Sequence, residues 1–180
     1  MLKSADYEPS EQDRAEFARE RFLTSHRAIA ACSREFGRLA EEIVGRAGVL
    51  GRGLTIEDEP ELRLTPDRCI VQIGPVALTI AWLRGPLDSL TDGRLLIIAW
   101  RGTITRRRFS EAPRRVNAPN AAQTAAAVWE ETFIASADSE ATWEWQSEGD
   151  PLRRYGSADL AEWCIEQART AFQVATSVAS

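Results

Sequence analysis

The chain has 180 residues and a mass of 20.0 kDa, with 44% hydrophobic and 27% charged side chains and a formal charge of -5. This composition is globular and excludes wholesale disorder, and no apolar run approaches the roughly 20 residues of a membrane span. The length suits one domain with its own core, and the net acidity argues against a generally basic nucleic-acid-binding surface.

Residues 1–9 are polar, end in Pro9 and read as a flexible arm; they lack the apolar stretch of a secretory leader. From Ser10 the pattern is helical. Ser10 is an N-cap residue with Asp13 three positions on. Ala15, Phe22, Ile29, Phe36 and Ile43 then recur every seventh residue along one apolar stripe. Gly45 and Gly48 are expected to end it. Ser25 falls in a core-facing slot. An unbroken helix over this stretch would be about 55 Å long, longer than such a domain is wide. The sequence therefore predicts either a break near Ser25 or an N-terminal half projecting beyond the body.

Short strand-like segments follow. Leu54, Thr55 and Ile56 and then Leu62, Arg63 and Leu64 flank the acidic turn at 57–61. Stronger strands are predicted at 68–73, 76–84 and 94–101, separated by Gly74 and Pro75 and by a loop from Gly85 to Gly93, the spacing of an antiparallel meander. Pairing Arg84 with Arg94 would place Leu96, Ile98 and Trp100 on the bulky face with Cys69, Val71, Leu78, Ile80 and Trp82. The opposite face would then carry only small residues such as Ala77, Thr79, Ala81 and Ala99. Residues 127–135 are contested: the alanines before them favour helix, but Val128, Trp129, Thr132, Phe133 and Ile134 favour a strand. A hairpin with a strand at 141–147 is the reading adopted. It aligns Trp129, Phe133, Trp143 and Trp145 on one face. Ser157 begins a last helix whose apolar stripe is Leu160, Cys164, Ala168, Ala171, Phe172 and Ala175.

The predicted architecture is α+β: a long N-terminal helix, broken or not near Ser25, an antiparallel meander of five or six strands, and a C-terminal helix packed on one sheet face. It forms a single domain over 10–180 behind the 1–9 arm.

Little in this order of residues suggests chemistry. The one histidine, His26, is read as a surface or interface residue. Cys32, Cys69 and Cys164 lack zinc spacing and are odd in number, which points away from a disulfide framework and towards a reducing, cytoplasmic setting. Gly48, Gly51 and Gly53 form a G-x-x-G-x-G pattern, but with a helix before and a strand after, the reverse of a dinucleotide fingerprint. No catalytic constellation, metal or cofactor is predicted.

Two features could recognise a partner. Arg106, Arg107, Arg108, Arg114 and Arg115 lie in a loop at 106–118 with five basic groups and one acidic, whereas 119–180 carries three basic and ten acidic. That loop could dock on the acidic C-terminal third or on a partner protein, or it could neutralise phosphates, although only Phe109 is there to stack on a base. Arginine accounts for 21 of the 22 basic residues and alanine appears 27 times. This is the mark of a GC-rich coding sequence, so the choice of arginine is no signal in itself. The second feature is the tryptophan content. Trp129, Trp143, Trp145 and Trp163 exceed what one small core readily hides, and tryptophan and arginine are enriched where interfaces draw their affinity.

The function expected from these features is a non-enzymatic protein-interaction module, an accessory or scaffolding subunit of a larger assembly that could itself be membrane-associated. The alternative is a nucleic-acid or phosphate-binding regulator acting through the arginine loop. A second alternative is a small-ligand protein or hydrolase using a carboxylate, such as Glu131, in the 129–145 hairpin.

Overall fold

The structure, a computed structural model, describes residues 10–56, 59–85, 89–104 and 125–177. The N-terminal arm and the arginine loop lie outside these residues. Helix α1 runs over Glu11–Leu23 and α2 over His26–Gly53. The break falls at Thr24 and Ser25. Ser10 starts α1 with a capping box: its hydroxyl accepts from the Asp13 amide, and its own amide donates to the Asp13 carboxylate at 2.9 Å. Thr24 caps the end of α1, and the Ser25 hydroxyl accepts from the Ala28 amide at 3.3 Å, starting α2 afresh. Among the residues of α1 only Leu23 is buried, and Phe17 is 66% exposed. The chain thus breaks, and α1 lies exposed beside the body, its Gln12, Ala15, Glu16 and Arg19 lining a groove with Trp143 and Arg154.

Helix α2 does not stop at Gly45 or Gly48; it continues through Gly53. Each internal glycine costs a helix about 1 kcal/mol relative to alanine. Burial of Ala47 and Leu50 offsets this, and Gly51 is buried where a Cβ would lie 3.8 Å from the Ile73 side chain. Leu54, Thr55 and Ile56, expected as a strand, form the exit turn. Thr55 sits at φ 56°, and the Ile56 amide donates to the Gly51 carbonyl at 3.0 Å.

Seven strands follow in one sheet whose spatial order is its chain order: β1 (Glu61–Thr65), β2 (Arg68–Ile73), β3 (Val76–Leu83), β4 (Arg94–Arg101), β5 (Ala126–Ser136), β6 (Glu144–Ser147) and β7 (Arg154–Tyr155), every neighbouring pair antiparallel. A single 3-10 turn, Glu140–Thr142, lies between β5 and β6. Helix α3 (Ser157–Ser177) packs on α2 and on β3 and β4. The architecture is α+β, with the C-terminal helix on one sheet face as predicted and the meander one strand longer. The extra strand is the two-residue β7.

The register between β3 and β4 departs from expectation by one residue. Leu83, not Arg84, pairs with Arg94. A one-residue slip turns a whole strand over. Leu95, Ile97 and Ala99 therefore face the helices, each 0% exposed, while Leu96, Ile98 and Trp100 move to the opposite face and are half-buried. Gly93 fixes this register from one end: a Cβ there would lie 2.3 Å from the Trp82 ring, so only glycine lets the indole pack over the start of β4.

The core lies between the sheet and the helices α2 and α3. At its centre the Trp145 indole N–H donates to the Ser157 hydroxyl at 3.1 Å, and that hydroxyl donates to Glu35 Oε2 at 2.7 Å. One serine thus joins β6, α2 and α3. Gln72, 5% exposed, plays a similar part on the other face of the sheet. Its amide nitrogen donates to the carbonyls of Gly74, Val76 and Gly102, and its oxygen accepts from the Ile104 amide.

Candidate interaction surface

The four tryptophans singled out above part company. Trp145 is 0% exposed and Trp143 8%, their rings 5.4 Å apart edge to face, and Trp82 packs on Trp145 at 5.9 Å. Both candidates serve the core, and neither faces a partner. A hairpin strand buried under two helices hides its inward side chains whatever their size. Trp100, expected in the core, instead lies half-buried on the helix-free face, where its N–H donates to Thr79 Oγ1 at 3.0 Å.

Trp129 and Trp163 stay at the surface, half-buried on the helix side of the sheet. Their rings meet edge to face at 4.6 Å. Trp163, from the second turn of α3, also touches Phe133 and Tyr155, with centroids 5.9 and 5.8 Å away. The Arg153 guanidinium lies over this group, 4.9 Å from the Trp163 ring and 5.7 Å from that of Tyr155. It donates to the Tyr155 hydroxyl at 2.9 and 3.1 Å. That hydrogen bond, with the Glu131 carboxylate opposite, holds the Arg153 pKa above its ordinary value against partial burial.

Glu131, the carboxylate suspected from sequence, faces this cluster with its side chain 15% exposed. Both its oxygens are engaged. Ser147 Oγ donates to it at 2.5 Å, and Arg153 Nη1 lies 3.2 Å from Oε1 and 3.4 Å from Oε2. A carboxylate held in this way between a hydroxyl and a guanidinium orients Arg153 over the aromatic rings.

Directly ahead of Arg153 the chain turns sharply. Leu152, at the tip of the turn, is 93% exposed. Four hydrogen bonds brace the turn beneath it: the Leu152 amide to Asp150 Oδ1 at 3.1 Å, the Arg153 amide to the Asp150 carbonyl at 2.9 Å, the Asp150 amide to Ser147 Oγ at 3.2 Å, and the Ser147 amide to the Arg153 carbonyl at 2.9 Å. Ser147 thus braces the turn and holds Glu131 at once. The result is an apolar side chain standing free on a hydrogen-bonded turn, one residue ahead of the arginine that covers the aromatic rings. Sequence reading found Trp129 and Trp163 but missed Leu152, Arg153 and Tyr155. Their only sequence signal was the break at Gly149, Asp150 and Pro151.

Other candidates offer less. A half-open cavity of about 90 Å³ lies between α2 and the end of β3, lined by Ile29, Cys32, Phe36, Trp82, Arg84 and Leu90. Drug-sized ligands occupy pockets of roughly 300 Å³ and more; the larger hollows, about 700 Å³ between α1 and the β5–β6 connection and about 630 Å³ between α2 and α3, are open grooves. Burial pushes the Cys32 thiol up to about 12, although Arg84 pulls it down slightly, so it carries no thiolate near neutrality. Among the described residues no three His, Cys, Asp or Glu side chains gather as a metal site, and no helix is long and apolar enough to cross a membrane. Arg106, Arg107, Arg108, Arg114 and Arg115 lie outside the described residues. Comparison of the chain with protein-family models, with curated protein sequences and with solved structures returns no match.

Proposed function

We propose that this chain is a non-enzymatic interaction module, an accessory or scaffolding subunit that docks a protein partner through Leu152 and the aromatic–arginine cluster behind it. The observation that carries the reading is the exposure of Leu152 on a turn already held by hydrogen bonds. An exposed leucine alone is ordinary. An exposed leucine on a preorganised support, followed directly by Arg153, whose guanidinium lies over Tyr155 and Trp163, has the make-up of an interface anchor. Little conformational freedom remains to be lost on binding, and tryptophan, tyrosine and arginine are the residues from which interfaces draw most of their affinity. The Arg153 charge is already balanced by Glu131, so the complementary partner surface is an apolar pocket, not an acidic one.

The test is quantitative purification of the tagged chain at native abundance from its source, in parallel with Leu152→Asp. Because the Leu152 side chain is almost wholly exposed, the variant should keep wild-type stability while losing a stoichiometric partner, whether or not that partner belongs to a membrane-bound complex. Wild-type chain that purifies alone, or a partner retained undiminished by the variant, would dispose of the reading.

A further inference from the structure

Helices α2 and α3 occupy one face of the sheet, and the other face has a relief that fits itself. Along β4 the outward side chains are bulky: Leu96, Ile98 and Trp100. Along the adjoining β3 they are small: Ala77, Thr79 and Ala81. A ridge therefore runs beside a trough. Trp100 closes one end of the trough through its hydrogen bond to Thr79, leaving Thr79 and Ala81 as a floor between the ridge and Ile70 of β2. Among the described residues no helix packs on this face, and such an apolar face is one that proteins ordinarily cover.

We infer that a second copy of this chain covers it, sheet against sheet, about a two-fold axis parallel to the strands and passing between β3 and β4. This surface lies on the opposite side of the sheet from Trp129 and Trp163, so the inference is independent of the function proposed above. Two arguments select a second copy as the occupant. The two-fold sets β3 of one copy over β4 of the other, so Leu96 and Ile98 of each enter the trough at Ala81 and Thr79 of its mate, twice over. It also sets β2 over β5. Arg68 stands in the cross-strand row of Ala81, Leu96 and Thr132, and Glu130 in the next row with Ile70, Thr79 and Ile98. The rows are about 7 Å apart, within reach of an arginine side chain. Arg68 and Glu130 are both exposed, and neither enters an ion pair among the described residues. The symmetry therefore brings two pairs of opposite charges together at the border of the apolar centre.

The experiment is sedimentation velocity and light scattering on the full chain up to about 100 μM. The wild type should be a dimer. Ile98→Arg, placed in the ridge, should give a monomer with an unchanged circular dichroism spectrum. Should that variant fail to fold, the charge pair still decides the matter. Arg68→Glu and Glu130→Arg should each weaken the dimer at least about tenfold, and both substitutions in one chain should restore it. A wild type that is monomeric at the highest concentration overturns the inference. So does a dimer indifferent to all three substitutions, or one that the paired reversal fails to rescue.

Discussion

Ser157 offers a direct measure of how the helix layer is fastened to the sheet. Its hydroxyl is 4% exposed in residue terms and serves two partners, accepting from Trp145 Nε1 at 3.1 Å and donating to Glu35 Oε2 at 2.7 Å. Ser157→Ala removes both bonds without opening a large cavity. The indole N–H is then stranded among apolar neighbours, since Trp145 is 0% exposed. A buried donor left without an acceptor costs about 1–3 kcal/mol. Glu35 is only half-buried, so water can replace its lost donor, and that part costs about 0.5–1.5 kcal/mol. The expected loss is therefore about 3 kcal/mol, which for a chain of this length lowers Tm by about 6–12 °C. Urea unfolding followed by tryptophan fluorescence should show a lower midpoint with an unchanged slope. Trp145→Phe removes the donor itself, and in that background Ser157→Ala should cost at least about 1 kcal/mol less than in the wild type. A Ser157→Ala variant within about 0.5 kcal/mol of the wild type, with no coupling to Trp145, would refute the idea that this hydroxyl ties the layers together.

Two further outcomes follow from the packing. Gly93→Ala drives a methyl group to within 2.3 Å of the Trp82 ring. It should cost about 1–3 kcal/mol in a denaturant titration and disturb the near-ultraviolet signal of Trp82, whereas Gly53→Ala, where a Cβ meets nothing within 4 Å, should not. The three cysteines are buried, and burial holds their thiols high: Cys69 at about 11, Cys32 at about 12, and Cys164 in the same direction. Unfolded thiols ionise near pH 9.0. Above that pH the unfolded chain releases protons that the folded chain keeps, so stability is full below pH 9 and declines as pH rises towards 11 and 12, at up to about 4 kcal/mol per pH unit for three thiols. Urea midpoints measured from pH 8 to 11 should fall accordingly, and a thiol reagent at pH 8 should count no reactive group in the native protein and three in denaturant.

What could be read from the residues, and what could not, has a common physical origin. Helix α2, strands β2 and β3 and the stripe of α3 each contain polar residues that mark one side, so periodicity identifies them. Strand β4 is apolar at every position from Leu95 to Trp100. No alternation remains to say which side faces the core. The decision passes to a tertiary contact, Gly93 against Trp82, and the ridge on the outer face followed from it unseen. Gly45 and Gly48 looked like helix terminators, yet α2 runs through them because its buried face outweighs their propensity. Trp129 and Trp145 share one face of the predicted hairpin. Only the position of each relative to the covering helices separates a core residue from a surface one. Leu152 was silent because a lone leucine beside a proline carries no pattern. Its meaning comes from hydrogen bonds to residues whose role in the turn is fixed by the fold.

The two caps at Ser10 and Ser25 divide the N-terminal region into unequal partners. Helix α1 has thirteen residues and one buried side chain, close to the length at which isolated helices are only marginally stable in water. It can unwind and rewind while α2, freshly capped by Ser25, stays in place. Amide exchange should therefore be fast across α1 and slow from Ala28 onward, and a protease acting near Thr24 should release α1 while leaving the sheet and its remaining helices intact. Tied to the core mainly through Phe22 and Leu23, α1 is the segment whose ordering a partner could shift at least expense to the body.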